Sequence, residues 1–174
     1  GEMFAANVSG VTPDIITLGK ALTGGVAPLA ATVASARVYV AFHSDDASKA
    51  LMHGPTYTGH ALGCAAANAS LDLFEREPRM AQVKAIEAHY RSALLPLANA
   101  AGVAGVRIRG SVAAVEMSDA FAIDVWRRRF IEQGVFIRPI GRTFYLAPAY
   151  TIDPAGLMVL TDAIIGAVNE IGRA

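Results

Sequence analysis

The chain has 174 residues, 53% of them apolar, which is enough to bury a core and too apolar for a disordered protein. Fifteen basic residues balance fifteen acidic ones, so no single-sign field marks the chain for nucleic acid or an anionic membrane, although a local anion site needs only a few groups. The one cysteine, Cys64, excludes a disulfide framework, fits a reducing, cytoplasmic compartment, and reads as a small core residue in the apolar run 61–69.

The start, Gly1-Glu2-Met3-Phe4, has neither the basic stretch and apolar stretch of a signal peptide nor a methionine at position 1, and reads as cut from a longer protein. No uninterrupted apolar run reaches the ~18–20 residues of a membrane helix. Pro13-Asp14 punctuates ahead of Ile15–Leu18, a short β-branched run that suits a buried strand. Gly19-Lys20 follows, then Ala21-Leu22-Thr23-Gly24-Gly25. Leu29–Val33 predicts a second short strand, running into a helical turn around Ala36–Phe42. His43–Ala50 is polar and predicts an exposed loop. Met52–His60 holds two glycines, a proline and two threonines, the composition of an irregular, functional loop. Ala61–Glu77 has apolar residues at helical spacing and stops at Pro78. Met80–Ala101 predicts another amphipathic helix, bent or broken in its last turns by Pro96.

The pattern then changes. Val103–Arg109 and Val112–Met117 predict two strands of a hairpin turning at Gly110-Ser111. Ala122–Gln133 predicts a helix stopped by Gly134. Val135–Arg138 and Thr143–Leu146 predict short strands, and Asp153-Pro154 starts a last helix ending near Gly172. The first part alternates strand and helix around small residues, and the part from about residue 100 is an α+β unit.

Three segments carry the chemistry. A lysine directly after a buried strand is unusual, and the small residues behind Lys20 let a bulky group approach the backbone. Schiff-base chemistry needs a neutral amine, which partial burial favours. From these residues alone an exposed lysine ahead of a glycine turn is the simpler reading. Gly54-Pro55-Thr56 reads by itself as an ordinary turn. Arg138, after Val135–Ile137 and before Pro139, offers a planar fork matched to a carboxylate, and equally a surface salt bridge. The four histidines have no metal-ligand spacing, and no nucleotide-binding glycine pattern is present.

Taken whole, Pro13–Gly25 resembles the cofactor-lysine segment of the class III (ω-type) aminotransferases. His53-Gly54-Pro55-Thr56-Tyr57-Thr58-Gly59-His60 with Cys64–Ala69, and Gly134–Gly141 with Tyr145–Tyr150, resemble two further segments of that family, in the family's order. The resemblance implies an α/β fold-type-I architecture dependent on pyridoxal 5′-phosphate (PLP). Residues 1–100 would be the later part of the PLP-binding large domain, and residues 101–174 the small α+β C-terminal domain. It implies Lys20 as the catalytic residue that holds the cofactor as a Schiff base and meets substrate. Pro55 and Thr56 would contact the cofactor, Pro55 by shape and Thr56 by donating to the phosphate of a partner subunit's cofactor, in a homodimer with shared active sites. Gly54, Arg138 and Tyr145 would contact substrate. The Gly-Pro-Thr triplet further resembles the branch of the family that transfers an amino group from S-adenosylmethionine to 8-amino-7-oxononanoate in biotin biosynthesis. His60 and Ala61 depart from the Asn-Pro of that branch. The alternatives are a class III enzyme acting on a different amine, and a catalytically dead oligomerisation unit. The family's aspartate for the pyridine nitrogen, its Gly-Ser phosphate cup and its ring-stacking aromatic have no counterpart in these residues.

Overall fold

The computed structural model describes residues 1–173, so Ala174, the end of the expected second domain, lies outside the described residues. The chain divides into two compact units at Pro78/Arg79. This is earlier than the expected boundary at residue 100, and the reason is the helix that starts at Arg79.

In the unit of residues 2–78, a short helix α1 (Ala5–Ser9) precedes β1 (Ile15–Leu18). A 3-10 turn (Lys20–Thr23) leads to β2 (Ala31–Ala34), which pairs with β1 in antiparallel register, Ile15 opposite Ala34 and Leu18 opposite Ala31. Helices α2 (Ala36–Val40) and α3 (Ala61–Arg76) complete it. Asp14 pairs with Arg37 and accepts from Ser35 Oγ at 3.0 Å, which ties the entry of β1 to α2 and holds the Asp14 carboxyl below its usual range. The expected burial of β1 is not observed: its residues alternate between exposed and half-buried, and Ile15 is 55% exposed. A two-stranded ribbon with one long helix has too little apolar material to cover both faces of a strand. Cys64 is half-buried on α3 rather than in a core.

The second unit has its own core. Helix α4 (Arg79–Ala93) ends ahead of Pro96, and a 3-10 turn (Leu95–Asn99) follows, as the proline predicts. Strands β3 (Val103–Arg109), β4 (Val112–Met117) and β5 (Thr143–Leu146) form an antiparallel sheet in that order. The β3–β4 turn is Gly110-Ser111, with Gly110 at φ 56°, the positive φ such two-residue links need. Val83, Ile86, Tyr90, Leu94 and Leu97 recur at three- and four-residue spacing and are buried. From Ile86 onward they pack into one core with Ala113, Val115 and Met117 of β4, Phe144 and Leu146 of β5, Trp126 and Phe130 of α5 (Ile123–Glu132), and Leu157, Ile164 and Val168 of α6 (Pro154–Ile171). That shared core is why α4 belongs with the sheet. Asp153 caps α6 by accepting from the Gly156 N–H at 2.6 Å. With 18 residues, α6 is long and apolar enough to cross a membrane by length and composition alone, contrary to the reading of uninterrupted runs. Here it lays its apolar face into the core.

Glu87 links α4 to the hairpin. Its carboxylate accepts from Arg91 at 2.6 Å and from the Gly110 N–H at 2.8 Å, and these bonds hold its pKa below the usual carboxylate range. A depressed carboxyl pKa contributes stability above the unfolded-state value, and that contribution is lost as pH falls through the folded-state value. Melting curves should therefore shift down as pH drops below the ordinary glutamate range. Glu87→Gln should be less stable at neutral pH and should show a shallower acid limb. An unchanged acid limb would remove Glu87 from the account.

Candidate functional site

Lys20 is the sole non-glycine with positive φ among the described residues, at 51°. The left-handed region crowds a β-carbon and costs on the order of 1–3 kcal/mol, so it persists only where the surroundings hold it. Gly19 before it is extended, and Gly24 and Gly25 after it have φ of 60° and 83°. The chain thus leaves β1, reverses at Lys20, and makes one 3-10 turn. Thr23 is 3% exposed and its Oγ1 donates to the Ala27 carbonyl at 2.5 Å. Ser70 on α3 donates to the Ala21 carbonyl at 3.2 Å.

Lys20 is exposed, where partial burial was expected. It lines an open cleft of about 570 Å³ with Thr23, Gly25, Ala27, Pro28, Leu29 and Ala30. Among the described residues nothing hydrogen-bonds or pairs with its amine. Pro28, Leu29 and Ala30 also wall a second cleft, of about 560 Å³, whose other side is Pro55 and Tyr57–His60. Gly63 lets α3 sit close to this wall: a β-carbon there would lie 3.0 Å from His60 Nδ1 and 3.4 Å from the Leu29 side chain.

In the second loop the Pro55 carbonyl accepts from the Thr58 N–H at 3.0 Å and the Thr58 hydroxyl at 2.8 Å, which makes a tight turn. Thr56 is exposed on this turn and lines neither cleft. Gly54 is also exposed, and no described atom lies within 4 Å of where its β-carbon would stand.

Arg138 and Tyr145 meet in the second unit. Both line a cavity of about 280 Å³ with Phe136, Ala147, Pro148 and Leu160. The expected strand over Val135–Arg138 is not a hydrogen-bonded strand; only an isolated bridge, Ile140 to Thr143, forms. Pro139 has no N–H to give a ladder. The segment is nevertheless extended and alternates: Val135, Ile137 and Pro139 are buried, while Phe136, Arg138 and Ile140 face out. Arg138 lies 5.9 Å over the Phe136 ring, an attraction that orients the guanidinium without satisfying its donors. Behind Tyr145, Phe144 is fixed by Phe121 stacked at 4.4 Å and by the edges of Phe130 and Trp126.

Sequence reasoning missed Thr23, Ser70 and Phe136. A threonine directly ahead of Gly-Gly could have been flagged as a loop clamp, and an aromatic two residues before an arginine in an extended run as its stacking partner. No cluster of histidine, cysteine and carboxylates suited to a metal occurs among the described residues. His89 instead meets Thr161 at 3.1 Å.

The exposed lysine at a small-residue cleft and the arginine–tyrosine cavity thus lie on separate units of the chain. The family model for class III aminotransferases matches residues 1–168, and the chain belongs to that family. Its fold is that of the fold-type-I transaminases, covering part of the whole. The chain is similar to the adenosylmethionine-8-amino-7-oxononanoate aminotransferase of Buchnera aphidicola, with 39% identity over 98% of this chain and 40% of that protein. Among solved structures it is similar to the adenosylmethionine-8-amino-7-oxononanoate aminotransferase of Methanocaldococcus jannaschii (34% identity, TM-score 0.80, 91% of this chain and 39% of that one). It is also similar to an amine transaminase from an uncultivated Pseudomonas species in its PLP-bound form (31% identity, TM-score 0.85, 97% and 41%). The chain thus spans about 40% of the length of the relatives it matches.

Proposed function

We propose that the chain is the cofactor-lysine and C-terminal portion of a PLP-dependent aminotransferase that moves an amino group from S-adenosylmethionine to 8-amino-7-oxononanoate, giving 7,8-diaminononanoate. The observation that carries this is Lys20, held in a strained conformation at the mouth of a cleft lined by small residues, with no partner for its amine among the described residues. These residues fit PLP: a free amine for its aldehyde, and walls low enough to admit a ring. When bound, PLP supplies the electron sink that makes the C–H beside the substrate amine acidic.

Lys20 holds the cofactor between turnovers. With its amine free, its Nζ would take the proton from the amine-bearing carbon as general base and deliver it, as general acid, to the carbon that was the cofactor's aldehyde, so that the amino group is left behind when the substrate departs. Thr56 donates its hydroxyl to phosphate, and Pro55 fixes the turn that presents it. Arg138 binds a substrate carboxylate by its fork, with Tyr145 beside it and Gly54 leaving room at the backbone. Residues up to Pro78 belong to the large PLP domain, and the unit from Arg79 carries the small domain. The remaining cofactor contacts come from the rest of the gene product, which is soluble and cytoplasmic. The test is an amino-transfer assay of the full-length protein. It should prefer 8-amino-7-oxononanoate with S-adenosylmethionine over a carboxylate-free amine. The opposite preference would replace this reading with a class III enzyme for another amine.

Thr56 serves the cofactor of a second subunit in a homodimer. Its absence from the Lys20 cleft supports that reading. Full-length Lys20→Ala and Thr56→Ala, each inactive alone, should regain part of the activity when subunits are exchanged, because one of the two shared sites is then intact. No recovery after verified exchange would assign Thr56 to the site of its own subunit.

A further inference from the structure

We propose that Thr23 and Ser70 are positioning residues for Lys20, acting as two clamps that keep its backbone left-handed and so aim its side chain into the cleft. This rests on the reading of Lys20 as the cofactor lysine. A lysine with four rotatable bonds is a poorly aimed base unless its Cα–Cβ vector is fixed. That vector is set here by φ of 51°. The segment that follows cannot hold such a strain unaided, since Gly24 and Gly25 are the least restrained residues a turn can have.

Two side chains supply the restraint from outside the turn's own backbone. Thr23 Oγ1 closes the loop over Gly24, Gly25 and Val26 by donating to the Ala27 carbonyl at 2.5 Å, and it is buried although polar. Ser70 reaches from α3 to the carbonyl of Ala21, the residue directly after Lys20, at 3.2 Å. That carbonyl also accepts from the Gly24 N–H at 3.1 Å, so one acceptor ties the Lys20 turn both to itself and to a long helix. Neither hydroxyl is directed at a group of its own chemical use. Both commit their donor to backbone flanking Lys20.

The experiment uses full-length protein with and without PLP. Thr23→Val, which keeps the shape and removes the hydroxyl, should lower kcat on the order of 10²-fold with KM for each substrate within about twofold, because misplacement by about an ångström acts on the reacting step. Thr23→Ser, which keeps the donor, should restore most of the loss. Ser70→Ala should lower kcat without lowering the melting temperature, because alanine is the better helix former; a merely structural serine would behave in the opposite way. This variant also keeps the proposal testable if Thr23→Val does not fold. In unloaded protein, Thr23→Val should slow imine formation between Lys20 and added PLP, followed by borohydride trapping. Lys20→Gly should melt about 1–3 °C above Lys20→Ala, since glycine alone adopts this φ freely.

Wild-type kcat and trapping rate in both Thr23→Val and Ser70→Ala would overturn the proposal, as would equal melting of Lys20→Gly and Lys20→Ala. Failure of borohydride to fix PLP on Lys20 in the unaltered protein would instead sink the functional reading. The glycine–alanine comparison, made without cofactor, still decides whether the backbone is strained.

Discussion

Replacing Lys20 with alanine in the full-length protein is expected to reduce amino transfer by on the order of 10⁴-fold or more, because one side chain has two roles. On the proposed function it would anchor the cofactor covalently and move the proton at the amine-bearing carbon. No described side chain lies in the cleft to take over that proton transfer. Thr23 is the other polar residue there, and its hydroxyl is committed to the Ala27 carbonyl. The variant should also lose the visible absorbance of the lysine-linked cofactor. Borohydride reduction of the unaltered protein should fix PLP on a peptide containing Lys20. The loss cannot be ascribed to unfolding, since the amine makes no contact among the described residues whose removal would cost stability, and alanine inherits the same backbone strain. Measurable turnover in Lys20→Ala, or a labelled peptide elsewhere, would refute the assignment.

Arg138→Ala should cost about 2–4 kcal/mol, roughly 30- to 1,000-fold in kcat/KM, the loss of a charge-assisted, two-pronged contact with a carboxylate. The side chain is exposed and lies against the Phe136 ring, so stability should change little. The fork matters more than the charge: Arg138→Lys should recover only part of the activity, because an ammonium cannot present two parallel donors. In the proposed reaction both 8-amino-7-oxononanoate and the amino-acid end of S-adenosylmethionine carry a carboxylate, and the two halves would use one site in turn. Single-turnover measurements should therefore show both halves impaired. If both run at wild-type efficiency, Arg138 is a surface arginine.

Much of the second unit was legible in sequence. Alternation in Val112–Met117, the glycine turn at Gly110, Pro96 and the Asp153-Pro154 start each reflect a local rule that the fold obeys. The pairing of Arg138 with Tyr145 was legible as two nearby segments, although the extended run at Val135–Arg138 is held by burial of alternate residues rather than by a ladder. What could not be read was of two kinds. The amphipathic face of α4 looks the same whichever core it joins, so the grouping of α4 with the later residues was not legible in the sequence. The left-handed backbone at Lys20 runs against the preference of its own residue type, and the contacts of Thr23 and Ser70 beside it, one buried and one distant in sequence, leave no local pattern to read. Burial of β1 was inferred from its β-branched composition, which reports a strand but not how many neighbours cover it.

The break at Pro78 has a consequence for how such a protein can diverge. The lysine and its clamps lie entirely before it, while Arg138, Phe136 and Tyr145 lie entirely after it, on a unit with its own aromatic and aliphatic core. Substitutions around the arginine cavity meet neighbours in that core, whereas the Lys20 turn is bonded by side chains of its own unit. On the proposed function, drift in residues 136–148 would alter the carboxylate contact while leaving the residues that hold the Lys20 turn unchanged.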